Sequence, residues 1–281
     1  QWFEKISGYL ISIGFQVSPA DSSLFVRKSA HGMIVLVLYV DDLILTGDSV
    51  VEICEIKQQL GSRFEMKDLG ELRYFLGIEV IRSTDGIWLM QRQYALDMLS
   101  RFGMTGCKPI TTPLEVNGKL TQDGGELIDD VTMYRSMVGS LIYMTITRPD
   151  LSYAVGLVSQ FMQAPRKPHL DSVRRIMRYV KSTVQYGLFY AYGSDLHLSG
   201  YTDADWARSP YDRRSTSGYS FTLGSGAVSW SSKKQPTVAL SSTEAEYRGA
   251  ALAACEIDWL CTLLHSLDIV VDYAVVHYCD T

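Results

Sequence analysis

The sequence predicts an α+β region followed by an α/β region built on a small mixed sheet. Three observations carry this. Two apolar, strand-like runs, residues 33 to 39 and 43 to 46, flank the aspartates Asp41 and Asp42. From about residue 131 to 183 the apolar period becomes helical. From His197 alternation returns, giving strand-like runs, one long helix and a last alternating run, in the order β-β-β-α-β. At 281 residues the chain exceeds what one core usually holds, so more than one domain is expected.

Taken in order, residues 1 to 16 form a helix with Phe3, Ile6, Leu10 and Ile13 at helical spacing, and Ser23 to Lys28 a short strand. The strands 33 to 39 and 43 to 46 join across Val40-Asp41-Asp42, which leaves two carboxylates at an exposed turn. A helix from Val50 to Phe64 places Ile53, Ile56 and Leu60 on one face. Tyr74 to Arg82 and Ile87 to Gln91 form a second hairpin, turned at Thr84-Asp85-Gly86. Tyr94 to Phe102 is helical and stops at Gly103. Residues 104 to 128 are dense in Pro, Gly and Thr without periodicity, an extended connector.

Three helices follow, roughly 131 to 146, 150 to 163 and 168 to 183. The third carries Arg174, Arg175, Arg178 and Lys181 after Arg166 and Lys167, against one acid, Asp171. This fits a face that tracks phosphates, and equally an ordinary solvated helix face. In the last region strands are expected at 197 to 203, 217 to 223, 227 to 232 and 274 to 280, with a helix from Ser242 to Leu267. A crossover helix returns the fourth strand parallel to the first.

That topology brings acids together. Asp203 ends the first of these strands and Asp280 the last, so parallel neighbours would present both at one sheet edge, where α/β folds commonly bind ligands. On the long helix, about 100° per residue puts Glu246 within about 40° of the stripe through Ala250, Ala253, Ile257, Leu260 and Leu264. Glu244 lies about 160° away and fits a capping box with Ser241 and an ion pair with Arg248. Three convergent carboxylates, Asp203, Glu246 and Asp280, suit hard divalent cations such as magnesium, which support phosphodiester cleavage. Asp205 shares the face of Asp203 if the strand continues and ranks second.

Composition bounds the partners. Net charge is −5, so nucleic acid would have to be met by local basic patches. No apolar run is long enough to cross a membrane. The five cysteines lack CxxC spacing and are expected to be reduced thiols in the cytoplasm or nucleus. Both ends of the sequence read as cut within a pattern.

The motifs GFQVSPADSSLF, LYVDDLILTG, MKDLGELRYFLGIEV and GIWLMQRQYALDMLSRFGM occur in this order. KPITTPLEVN, YRSMVGSLIYMTITRPDLSYAVGLVSQF, GYTDADWA, RRSTSGYSFTLGSGAVSWSSKKQ and SSTEAEYRGA follow. Together they resemble the reverse transcriptase and ribonuclease H region of copia-type long-terminal-repeat retrotransposon polyproteins, over essentially the whole chain. The resemblance implies a partial polymerase palm and start of thumb at 1–103, a connection region at 104–195 and a ribonuclease H-like domain at 196–281. It makes Asp41 the principal and Asp42 the adjacent metal-binding carboxylate, and Gly77, in Phe75-Leu76-Gly77-Ile78-Glu79, part of a primer grip. It makes Asp203, Glu246 and Asp280 ribonuclease H ligands. Mg2+, with Mn2+ as substitute, is the implied cofactor. Implied partners are an RNA template, a DNA primer, an RNA–DNA hybrid and the rest of the polyprotein, in a cytoplasmic virus-like particle or the nucleus. The family's upstream palm aspartate and its fourth ribonuclease H acid fall outside the sequence, so polymerase activity of this chain alone is not expected. The alternative is a non-catalytic relic or nucleic-acid-binding module that keeps the fold.

Overall fold

The computed structural model describes residues 2–115, 118 and 120–279. It divides into two compact units: the residues up to Leu72 with Ala254–Val275, and Arg73–Ala253 with the residues from Val276 on. Among the described residues no helix is long and apolar enough to cross a membrane.

In the first unit, helix α1 (Trp2–Ser12) precedes strands β1 (Gln16–Val17), β2 (Leu24–Ser29), β3 (Gly32–Tyr39) and β4 (Asp42–Gly47), and helix α2 (Val50–Phe64) follows. The strands form one antiparallel sheet in sequence order. Alternation buries Ile34, Leu36 and Leu38 on one face of β3, where Ile6 and Leu10 of α1 and Ile56 and Leu60 of α2 complete a core with Phe15 and Phe25. α2 starts where the Ser49 hydroxyl accepts the Glu52 N–H. The first helix is shorter than the sequence pattern predicts. It ends at Ser12 because Gly14 takes φ +94°, which lets Gly14 N–H reach the Ile11 carbonyl and Phe15 N–H the Leu10 carbonyl, a left-handed helix stop. The later part of the long helix also belongs to this unit. There the Trp259 indole donates to the Ala20 carbonyl and Ser266 pairs with Ser18.

The second unit begins with β5 (Tyr74–Phe75), β6 (Ile78–Arg82) and β7 (Gly86–Met90), joined at the far side by β8 (Gly187–Ala191) in an antiparallel sheet ordered β5-β6-β7-β8. Two differences from the sequence reading lie here. The run from Tyr74 to Arg82 is a hairpin of its own, reversed at Leu76 (φ +47°) and Gly77 (φ +75°), the signs of a primed two-residue turn. β8 was not expected, because its aromatic run Gly187-Leu188-Phe189-Tyr190 has no local turn partner. It is selected by pairing with β7, more than ninety residues earlier in sequence, and by Phe189 packing on Trp88 at 4.5 Å.

Helices α3 (Arg92–Arg101), α4 (Val131–Met144), α5 (Ser152–Ser159) and α6 (Lys167–Ser182), with a 3-10 turn at Pro149–Leu151, share one core. Met98, Leu99, Tyr134, Leu141, Val155, Val173, Ile176 and Val180 are buried there. Its polar anchor is Arg148, 1 % exposed. Nε and Nη2 grip Asp150 at 2.9 and 2.7 Å, and Nη1 and Nη2 donate to the carbonyl and hydroxyl of Thr183. Tyr179 adds its hydroxyl to Asp150 at 2.9 Å. Burial pushes the Asp150 carboxyl up, but the bonds and charge of Arg148, with the Tyr179 hydroxyl, outweigh it and hold the group below the usual carboxylate range.

The last part contains β9 (Leu198–Asp205), β10 (Thr216–Leu223), β11 (Gly226–Lys234), helix α7 (Ser242–Ser266) and β12 (His277–Cys279). The sheet order is β11-β10-β9-β12, with β12 parallel to β9, so the expected β-β-β-α-β order and return direction are both present. β12 starts three residues later than the alternation suggested, and Asp280 lies outside the described residues.

Candidate functional site: carboxylates at a hairpin turn and a strand end

The pairing of Tyr39 with Asp42 closes the first hairpin over two residues, Val40 and Asp41. The sequence reading placed all of Val40, Asp41 and Asp42 in the turn; the structure makes Asp42 the first residue of β4. Both aspartates are exposed at the tip of strands whose next residues inward are buried or half-buried. Val40 has φ +50°. For a β-branched residue this conformation costs roughly 1–2 kcal/mol and persists only where surrounding contacts over-determine it. One such contact is the Trp2 indole N–H, donated to the Val40 carbonyl at 2.9 Å.

At the second site β9 is longer than predicted and runs through Asp205. The alternation buries Thr202 and Ala204 and places Asp203 and Asp205 together on the other face. Asp203 is exposed. Asp205 is half-buried, accepts the Thr216 N–H at 2.6 Å and lies 3.6 Å from Arg208. Burial, with the negative charge of Asp203 beside it, raises the Asp205 carboxyl above its ordinary value despite these donors. Asp205 also lines a cavity of about 610 Å3 with Tyr153, Gln160, Arg208, Thr216 and Lys234.

α7 covers the opposite, Ala204-bearing face, where Gly249 approaches the Ala204 and Ser217 side chains. Glu246 Oε1 accepts the Ala204 N–H at 3.3 Å, just past the last described pairing of β9 with β12, at Thr202 and Cys279. As the helical spacing predicts, Glu246 reaches the sheet and Glu244 caps the helix. The Glu244 carboxylate accepts the Leu240 N–H and pairs with Arg248 at 2.7 Å, while its own N–H goes to Ser241 Oγ. The Leu240 N–H, and after it Arg248, hold the Glu244 carboxyl below its usual value.

Of the predicted ligands, the structure brings Glu246 to the backbone next to Asp203 and adds Asp205 on the Asp203 face. Among the described residues no three carboxylate, imidazole or thiolate groups gather as a metal site. Gly77 sits at its tight turn with Tyr143 Oη only 2.8 Å from where a Cβ would be. The α6 cations mostly face the connector. Arg178 donates to the Lys108 carbonyl, Lys181 to those of Thr105 and Cys107, and Arg175 to Thr112 and Glu115. Arg174 lies 3.8 Å from Asp171. The described residues of the connector form no regular ladder of their own, and Arg178 and Lys181 satisfy carbonyls there that would otherwise be left to water.

The model of the family described as reverse transcriptase (RNA-dependent DNA polymerase) matches residues 1–116. The retrovirus-related Pol polyprotein from transposon RE1 of Arabidopsis thaliana is 45 % identical over 279 residues, 99 % of this chain and 19 % of that protein. An uncharacterized mitochondrial protein of Arabidopsis thaliana is 45 % identical over 224 residues, 80 % of this chain and 93 % of its own length. A putative transposon Ty5-1 protein of Saccharomyces cerevisiae is 37 % identical over 259 residues, 91 % of this chain and 84 % of its own length. No solved structure matches the chain. The chain spans about one fifth of the Pol polyprotein from transposon RE1. The family match over the paired-aspartate hairpin and the likeness over nearly the full chain identify it: this chain belongs to the copia-type retrotransposon Pol polyproteins and corresponds to a fragment that includes their reverse-transcriptase region.

Proposed function

We propose that this chain supplies the turn aspartates of an RNA-directed DNA polymerase and a carboxylate site for cleaving RNA in RNA–DNA hybrids. The observation that carries the first half is the two-residue hairpin that exposes Asp41 and Asp42 at the tip of two packed strands. A rigid β-turn keeps two oxygen donors within a fixed span, which suits a hard cation and substrate phosphates. For the second half, the ribonuclease H-like reading is supported by the β-β-β-α-β order, the parallel β12, and Glu246 meeting the backbone beside Asp203.

The described donors at the two places, Asp41 and Asp42 at one and Asp203 and Glu246 at the other, are carboxylates on exposed or half-buried side chains, which fits Mg2+ or Mn2+. Asp41 and Asp42 would hold the ion at one site, and Asp203 and Glu246 with Asp280 at the other. Bound there, the ion would polarise a phosphoryl oxygen and lower the pKa of a water. The chain's own residues orient it: the Ala204 N–H fixes one Glu246 oxygen, and the Thr216 N–H fixes Asp205 as a neighbouring acid. The substrates proposed are an RNA template with a DNA primer and the resulting hybrid.

A labelled RNA–DNA hybrid incubated with the chain in Mn2+ tests the second half. Slow cleavage that disappears in Asp203→Asn and in Glu246→Gln is the expected result; cleavage that survives both substitutions refutes the assignment. For the first half, primer extension by a polyprotein segment containing this chain should be lost in Asp41→Asn, and unchanged extension refutes it.

A further inference from the structure

The strained residue at the hairpin tip is exposed, so burial does not hold it in place: Val40 is 68 % exposed. What does reach it is the Trp2 indole, whose N–H donates to the Val40 carbonyl at 2.9 Å. Trp2 lies at the start of α1, and helical side chains lean toward the helix N-terminus, so the indole projects beyond the first turn of the helix. Its ring is braced edge-on by Phe64 at 5.6 Å and 85°. Phe64 ends α2 and is in turn held edge-on by Tyr9 of α1 at 5.4 Å, with the Arg63 guanidinium over the Tyr9 ring. Tyr9 and Phe64 both pack on the core of the first unit. A rigid chain of rings therefore runs from that core to the peptide joining Val40 to Asp41.

We propose that Trp2 is a positioning residue for the turn carboxylates: its indole N–H fixes the Val40–Asp41 peptide and thereby the direction of Asp41 and Asp42. The inference rests on the reading of Asp41 and Asp42 as cation-binding carboxylates. It adds a residue that carries no charge, ligates nothing and lies 38 positions away in sequence. A hydrogen bond of ordinary net strength biases the turn toward the observed conformer by roughly 2- to 10-fold.

The test uses the full chain, labelled with nitrogen-15, as wild type and as Trp2→Phe, which keeps an aromatic ring against Phe64 and removes the donor. The amide resonances of Asp41 and Asp42 should shift in Trp2→Phe, while those of Leu36 and Leu38 in the buried ladder stay in place. Mn2+ alone is then titrated into both proteins. Broadening centred on Asp41 and Asp42 is expected in the wild type, at a Mn2+ concentration that rises roughly 2- to 10-fold in Trp2→Phe. No broadening in the wild type overturns the cation reading on which the proposal rests. Broadening in the wild type with shifts and Mn2+ response unchanged in Trp2→Phe overturns the positioning role alone. If Trp2→Phe does not fold, the wild-type indole proton decides: exchange slowed roughly 2- to 10-fold relative to free indole supports the bond, and exchange at the free rate removes it.

Discussion

Replacing Arg148 by Ala should be the most damaging single polar substitution in the second unit. The guanidinium makes four hydrogen bonds, two to Asp150 and two to Thr183, from a side chain that is 2 % exposed. Its removal takes one of two donors from the Thr183 carbonyl, which keeps the Tyr186 N–H, and leaves Asp150 with the Tyr179 hydroxyl alone of these partners. Breaking a buried pair on one side costs about 3–5 kcal/mol. The Asp150 side chain is 36 % exposed, so water can take up part of its charge, which favours the lower end, about 3 kcal/mol. With a urea slope of about 2–3 kcal/mol per molar, the unfolding midpoint read by circular dichroism should fall by roughly 1–1.5 M. Arg174→Ala, which breaks an exposed pair, is the control and should cost about 0–1 kcal/mol. A midpoint shift for Arg148→Ala no larger than that of Arg174→Ala would refute the reasoning. The sign of the pH dependence follows from Asp150. Its folded pKa lies below the ordinary 3.8, so the stabilisation is complete above about pH 4 and is lost as pH falls through the folded value. The gap between wild type and Arg148→Ala should therefore be constant from about pH 5 to 8 and close only in strong acid.

Other outcomes can be measured on the same protein. Gly77→Ala places a Cβ at φ +75° and 2.8 Å from Tyr143 Oη, and should cost about 1–3 kcal/mol, seen as a lower thermal midpoint. His169 accepts the Arg166 N–H through Nδ1 and its Nε2 bonds the Thr121 carbonyl. Burial, aided by the Arg166 charge and opposed by Thr121, holds its pKa below 6.5. The unfolded chain takes up that proton first, so stability should fall as pH drops below about 6.5, and His169→Gln should flatten part of that slope in urea titrations. Removing both Arg178 and Lys181 side chains should release the connector carbonyls of Thr105, Cys107 and Lys108 and speed limited proteolysis there several-fold; an unchanged cleavage rate would show that other contacts hold it.

Much of the architecture was legible because it depends on short-range periodicity. The hairpin around Asp41 and Asp42, helix α2 and the order of the last sheet follow from spacing that any aqueous fold must respect. The choice between Glu244 and Glu246 was equally local, a matter of helix angle and a capping pattern. Failures came where a distant partner decides. β8 exists because β7 offers it an edge, and the hairpin at Leu76 and Gly77 divides what reads as one strand because positive φ leaves no periodic trace. α6 shows the same limit in charge. Its Arg and Lys residues fit a phosphate-tracking face and a solvated face alike, and the pattern does not show that Arg178 and Lys181 meet connector carbonyls, and Arg175 the Thr112 hydroxyl, sixty or more residues away in sequence.

By itself the sequence determined the family, the paired aspartates at a turn, the β-β-β-α-β order and the helix face that carries Glu246. These rest on residue identity and on the 2.0 and 3.6 periods of strand and helix, which are properties of the local chain. Only the tertiary structure decided that Asp42 begins a strand, that β9 continues far enough to set Asp205 beside Asp203, that Arg148 is buried on Asp150 and Thr183, and that Trp2 reaches the Val40 carbonyl. Each of those depends on which donors and acceptors meet across long stretches of chain, and pattern alone does not encode that pairing.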